Sequence, residues 1–190
     1  MSVPLWPTAF LLPLALLFYY FVLAGARTFE YTPSDVVGSG LAQFSFLGTG
    51  TFATIAIGHR AELPLANAIG SGVLMLCSLG LYEWARHTIR ERRFHIAWSG
   101  EVPSEVCEDG PYAHIRHPVY TSYMIAFAAL LVALPTIVAL AILLFNIALF
   151  THAARSDERD LAKSELAEDY ARYKQRTGMF VPKIAGRNKV

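Results

Sequence analysis

Two short clusters hold the residues best suited to chemistry. The segment EDGPYAHIRHPVY closes on Arg116, His117 and Tyr120, and the segment RSDERDL opens on Arg155, Asp157 and Glu158. Cations, an imidazole and carboxylates gathered in one place bind a charged ligand and pass a proton. Here 31 uncharged residues, between Tyr120 and His152, separate the two clusters. Chemistry that uses both needs a fold that turns the chain back on itself.

The composition says where that fold sits. Of 190 residues, 54% are hydrophobic and 16% charged, against roughly 25% charged in soluble domains. Mean hydropathy is +0.39. These values exclude a disordered chain and point to an integral membrane protein. A net charge of +1 offers no basic excess for nucleic acid. Cys77 lies in an apolar stretch and Cys107 in a polar one, which argues against a disulfide between them.

A spanning helix needs ~20 mostly apolar residues. Pro4–Ala26 is a first candidate; a cleaved signal peptide is the competing reading, but the segment lacks a basic start and is too long. A second candidate covers Val36–Gly58, with Ser45, Thr49 and Ala53 forming a small-residue stripe of the kind that lets helices approach closely. A third covers Leu65–Ala85, ending by Trp84 and Glu83. In the uncharged run Pro135 stands near the middle, where a helix gives way. The run reads as a tight hairpin turning at Leu134–Pro135, with arms of about 15 residues or roughly 22 Å; one long tilted helix is the alternative. The fold class is therefore all-α, a membrane bundle of about five spans followed by a cytoplasmic amphipathic helix.

Five spans put Arg27, residues 86–118 and the tail from 153 on one side. That side holds 15 of the 16 Lys and Arg residues, leaving Arg60 alone on the other. The positive-inside rule makes it cytoplasmic, with the N-terminus outside. The hairpin then brings Arg116, His117, Tyr120, Arg155, Asp157 and Glu158 together at that face. Read as one helix, Arg155, Glu158, Ala162, Leu166, Tyr170 and Tyr173 share a stripe, and Lys163, Arg172 and Lys174 fall mostly elsewhere. Ionisable residues on such a stripe near a bilayer are functional candidates. An Arg155–Glu158 ion pair on a frayed helix is the plainer reading.

Other features are weaker. Six histidines invite a metal, but no HExxH or CxxC spacing occurs, and His87, His95 and His114 read as loop or interface residues. No metal is expected. Glu83 and His87 are spaced to pair, and Asn146 is suited to bond a neighbouring helix. The glycines of residues 38–50 lack the strand–helix setting of a dinucleotide fingerprint.

Gly110-Pro111-Tyr112, Arg116-His117-Pro118 and Tyr120 resemble the first signature of the isoprenylcysteine carboxyl methyltransferase family, to which phospholipid N-methyltransferases are related. Asp157-Glu158-Arg159-Asp160-Leu161, then Tyr170, Tyr173 and Pro182, resemble its second. The similarity covers roughly residues 65–184. It implies a single membrane methyltransferase domain over residues 1–190, with two N-terminal helices in 1–60 and a catalytic core in 65–184. Asp157 stands where glutamate is usual, Ser122 where a glycine often follows, and the usual Phe-Gly before the tyrosines is absent.

The resemblance implies S-adenosylmethionine as methyl donor, in a pocket between the RHP segment and the acidic tail helix. Tyr112, Arg116, His117, Pro118, Tyr120 and Glu158 carry over as cofactor-pocket residues, with Arg155 and Glu158 as the catalytic pair. Arg116 and His117 would order the donor's carboxylate end, Arg155 the acceptor, and Glu158 either. The expected partners are a lipophilic or prenylated substrate and membrane lipid. Carboxyl O-methylation of an isoprenylcysteine-like acceptor leads, ahead of phospholipid N-methylation or another small lipophile. A carboxylate needs no proton removed; an amine or thiol would use His117 or Glu158 as base. The rivals are an NADPH-dependent sterol-type reductase, which shares an R-H-x-x-Y element, and a membrane scaffold without activity.

Overall fold

The computed structural model describes residues 6–28, 36–58, 63–89 and 105–183, and their regular structure is helical apart from one isolated bridge. The six α-helices are α1 (Trp6–Thr28), α2 (Val36–Gly58), α3 (Leu65–Ile89), α4 (Pro118–Ala133), α5 (Ile137–Leu161) and α6 (Ala167–Arg176); a 3-10 turn covers Gly110–Ala113. Pro4, Arg60, Arg90, Arg92, Arg93 and His95 lie outside the described residues.

Among the described residues, α3 and α5 are long and apolar enough to cross a membrane. At 25 residues each they extend about 37 Å, more than the ~30 Å hydrocarbon core. Large apolar side chains such as Phe44, Leu65, Leu76 and Ile137 point outward, as lipid contact requires and water would penalise.

The hairpin is present. The Leu134 N–H closes α4 on the Leu130 carbonyl at 2.8 Å, and Thr136 caps α5 by accepting from the Ala139 N–H at 3.1 Å. Its arms are unequal, however: α4 has 16 residues and α5 has 25. The second arm does not stop at the end of the apolar run but carries Arg155, Asp157 and Glu158 as helix residues. The tail stripe is also not one helix. The chain turns over residues 162–166 before α6 begins.

Short polar side chains set the packing. From α3, Asn67 donates to the Val132 carbonyl (2.8 Å), Ser71 to Ala129 (2.9 Å) and Ser78 to Ser122 (2.7 Å), all on α4. Such bonds average only about 0.6 kcal/mol in a bilayer; their small donors matter more because they let the two backbones lie close. Ser45 on α2 donates to Asn146 on α5 at 2.8 Å, and Thr49 and Ala53 of the small-residue stripe are buried. Between the helices, Phe18, Phe21, Phe46, Tyr82, Tyr123, Phe127 and Phe150 form one aromatic core. It lies directly beneath the hairpin's open end.

Candidate active site

The GPY segment is shaped by the end of α3. Gly110 has φ of 54°, a left-handed conformation that favours glycine. A Cβ there would also run into the Thr88 side chain. Pro111 is the second residue of the 3-10 turn and is buried. Pro118 opens α4, where a missing N–H costs nothing. Arg116 and His117 therefore stand at a fixed turn immediately before the first turn of α4.

The extension of α5 brings Glu158 to them. Arg116 Nε donates to Glu158 Oε1 at 2.8 Å, and His117 Nε2 is 3.5 Å from the same oxygen. Lys174 Nζ of α6 meets Glu158 Oε2 at 2.7 Å. The Glu158 side chain is 6% exposed, Arg116 7% and His117 10%, whereas Lys174 is 51% exposed. A carboxylate this buried needs such partners, since an unpaired buried charge is costly. The Tyr120 hydroxyl donates to Asp157 Oδ2 at 3.1 Å. Its ring stacks between His117 and Phe150, with centroids 5.5 Å from each.

The chain after α6 completes the arrangement. Residues 177–180 run parallel to 114–117, bridged at Ile115 and Gly178. The Arg116 N–H donates to the Gly178 carbonyl (2.8 Å) and the His117 N–H to Met179 (3.1 Å). The Arg116 guanidinium reaches the Thr177 carbonyl at 2.5 Å, and the Thr121 hydroxyl reaches Phe180 at 3.2 Å. The Tyr173 hydroxyl donates to the Tyr112 carbonyl at 2.7 Å, locking α6 to the GPY turn. Burial pushes the Tyr112, Tyr170 and Tyr173 phenols well above their ordinary range, so they stay protonated and do not act as bases.

Arg116, His117 and Glu158 are thus brought together, with Pro118 and Tyr120 beside them and Tyr112 joined through Tyr173. Arg155 is not part of the cluster: one turn earlier on α5, it is exposed. The Arg155–Glu158 ion pair does not form among the described residues, because Glu158 is taken by Arg116 and Lys174. Lys174 and the segment 177–180 carried no sequence signal beyond the neighbouring tyrosines. Elsewhere Glu83 pairs with Arg86 at 2.5 Å and accepts the Tyr20 hydroxyl instead of pairing with His87, which is exposed. Asn146 bonds its neighbouring helix as its position implied. Cys77 is exposed and Cys107 buried, and no disulfide joins them.

No solved structure matches the chain. Over 119 residues it is 29% identical to a methanethiol S-methyltransferase of a Pseudomonas strain, covering 60% of this chain and 43% of that protein. The chain therefore spans less than half the length of that relative. Residues 92–163, which contain Arg116, His117 and Glu158, match the model of the isoprenylcysteine carboxyl methyltransferase (ICMT) family.

Proposed function

We propose that this protein is an S-adenosylmethionine-dependent methyltransferase that acts on a lipophilic acceptor at the cytoplasmic face of a membrane. The observation that carries the reading is the meeting of both signature halves on Glu158, at the open end of an apolar hairpin. The residues suit the donor. His117 Nε2 is buried without a hydrogen-bond partner of good geometry, a carboxylate and an ammonium lie within reach of each other, and the His117 and Phe180 rings offer faces for a flat or cationic group.

When bound, S-adenosylmethionine supplies a methyl group on a sulfonium, transferred by in-line displacement. The protein's part is to orient and to exclude water. Tyr120, Phe150 and the aromatic core provide a water-poor floor on the membrane side. Glu158, held by Arg116, stays fixed in direction. A polar donor arrives from water and a lipophilic acceptor from the bilayer, and a site at the end of the hairpin serves both.

Two acceptor classes follow. The family match supports the carboxylate of an isoprenylcysteine-like compound, for which no base is needed. The relative named methanethiol S-methyltransferase supports a thiol. For a thiol, His117 takes the proton and Glu158, 3.5 Å away, stabilises the imidazolium. Phospholipid N-methylation remains within the same chemistry.

Purified protein is tested by thermal stabilisation, because a ligand that binds only the folded state raises the melting temperature by mass action. S-adenosylhomocysteine is expected to stabilise and NADPH to have no effect; stabilisation by NADPH alone overturns the reading in favour of a reductase, and by neither in favour of a scaffold. Labelled methyl transfer into farnesyl-cysteine, small thiols and phosphatidylethanolamine then ranks the acceptors.

A further inference from the structure

The three partners of Glu158 are not equivalent. Arg116 and His117 are enclosed, and the Arg116 guanidinium is already divided between Glu158 Oε1 and the Thr177 carbonyl, at 2.8 and 2.5 Å. Lys174 is half exposed yet reaches the other carboxylate oxygen at 2.7 Å. Arg116 therefore reads as structural wall, and Lys174 as the movable partner at the mouth of the site. Arginine's planar fork suits the fixed role, and lysine's flexible stem with three rotatable donors suits the movable one.

We propose that Lys174 binds the carboxylate of the donor's amino-acid end, while Glu158 receives its ammonium group. This rests on the donor reading above. An ion pair with one buried and one accessible member is the electrostatic complement of an α-amino acid zwitterion. The ligand exchanges one protein–protein pair for two protein–ligand pairs, and Glu158 keeps Arg116 throughout. Assigning the carboxylate to Arg116 instead requires breaking its two enclosed hydrogen bonds. Lys174 lies outside the segment matched by the family, residues 92–163.

The test is a two-by-two cycle on the full chain in detergent, by thermal shift and equilibrium binding. The ligands are S-adenosylhomocysteine and its decarboxylated analogue, which keeps the ammonium group; the proteins are wild type and Lys174→Met. The wild type is expected to prefer S-adenosylhomocysteine by about tenfold, an energy of one charge-assisted contact. Lys174→Met is expected to abolish that preference and to bind the analogue within about twofold of wild type. Lys174→Arg is expected to retain most of the preference. Equal loss of both ligands, or an unchanged preference in Lys174→Met, overturns the assignment while leaving the donor reading intact. If wild type binds neither ligand, the donor reading fails and the assignment with it. Because Lys174 is half exposed and Glu158 keeps Arg116 and His117, the methionine variant is expected to fold.

Discussion

Glu158 holds together three pieces of chain: the RHP turn through Arg116 and His117, its own helix α5, and α6 through Lys174. Glu158→Gln keeps the shape and removes the charge, leaving Arg116 enclosed without an anion. Breaking one side of a buried pair costs about 3–5 kcal/mol; with Lys174 free to turn to water, the expected loss lies at the low end, about 3 kcal/mol. It is measured by denaturation in detergent without ligand. A loss under about 1 kcal/mol means that the cluster is held by backbone contacts and not by charge. Arg116, His117 and Glu158 were legible because motif and hairpin together placed them. Arg155 was not separable from Glu158 by spacing. A three-residue step leaves side chains about 60° apart, enough for one to enter a packed seam and the other to face solvent. Lys174 was invisible for the opposite reason. In a continuous helix it would lie about 160° from Glu158, and only the break before α6 swings it round.

At the scale of elements, what was legible is what a proline or an apolar run announces. Pro135 marked the hairpin turn, and α2 has the bounds its composition implied. The lengths of α5 and α6 were not legible. Hydropathy locates the end of an apolar run, not of a helix, and RSDERDL contains no glycine or proline to stop α5. The break after it rests on Ser164, whose hydroxyl donates to the Leu161 carbonyl at 2.8 Å and accepts from the Leu166 N–H at 3.1 Å; a serine is too common a residue to signal this. The bridge between residues 114–117 and 177–180 joins segments 63 residues apart, Ile115 to Gly178, and left no periodic trace. It depends on Gly178, where a Cβ would collide with the Val181 carbonyl oxygen. Gly178→Ala must shift backbone, and that backbone fixes the N–H groups of Arg116 and His117. The variant is expected to remain helical by circular dichroism yet to bind S-adenosylhomocysteine at least about tenfold more weakly, an energy of about 1.4 kcal/mol. Wild-type affinity would show that the bridge merely accompanies the site.

For the molecule as a whole, the proposed topology rests on the charges. Only 16% of residues are charged, and on the five-span reading the near-neutral total conceals a one-sided arrangement of the basic ones. Lys and Arg bias near span ends sets orientation, whereas acidic residues contribute little. The reading that places 15 of 16 basic residues inside also places the open end of the hairpin there, because Arg116 and Glu158 flank it. Orientation and active-site location are therefore one hypothesis with one test. In a background with Cys77→Ala and Cys107→Ala, single cysteines replace Arg60 and Lys163. On intact cells a membrane-impermeant maleimide is expected to label the cysteine at position 60. The one at position 163, just beyond α5, is expected to react only after the membrane is opened. The reverse pattern inverts the topology and moves the site to the opposite face. Labelling of both on intact cells removes the five-span arrangement, since an odd number of crossings must separate position 60 from the tail.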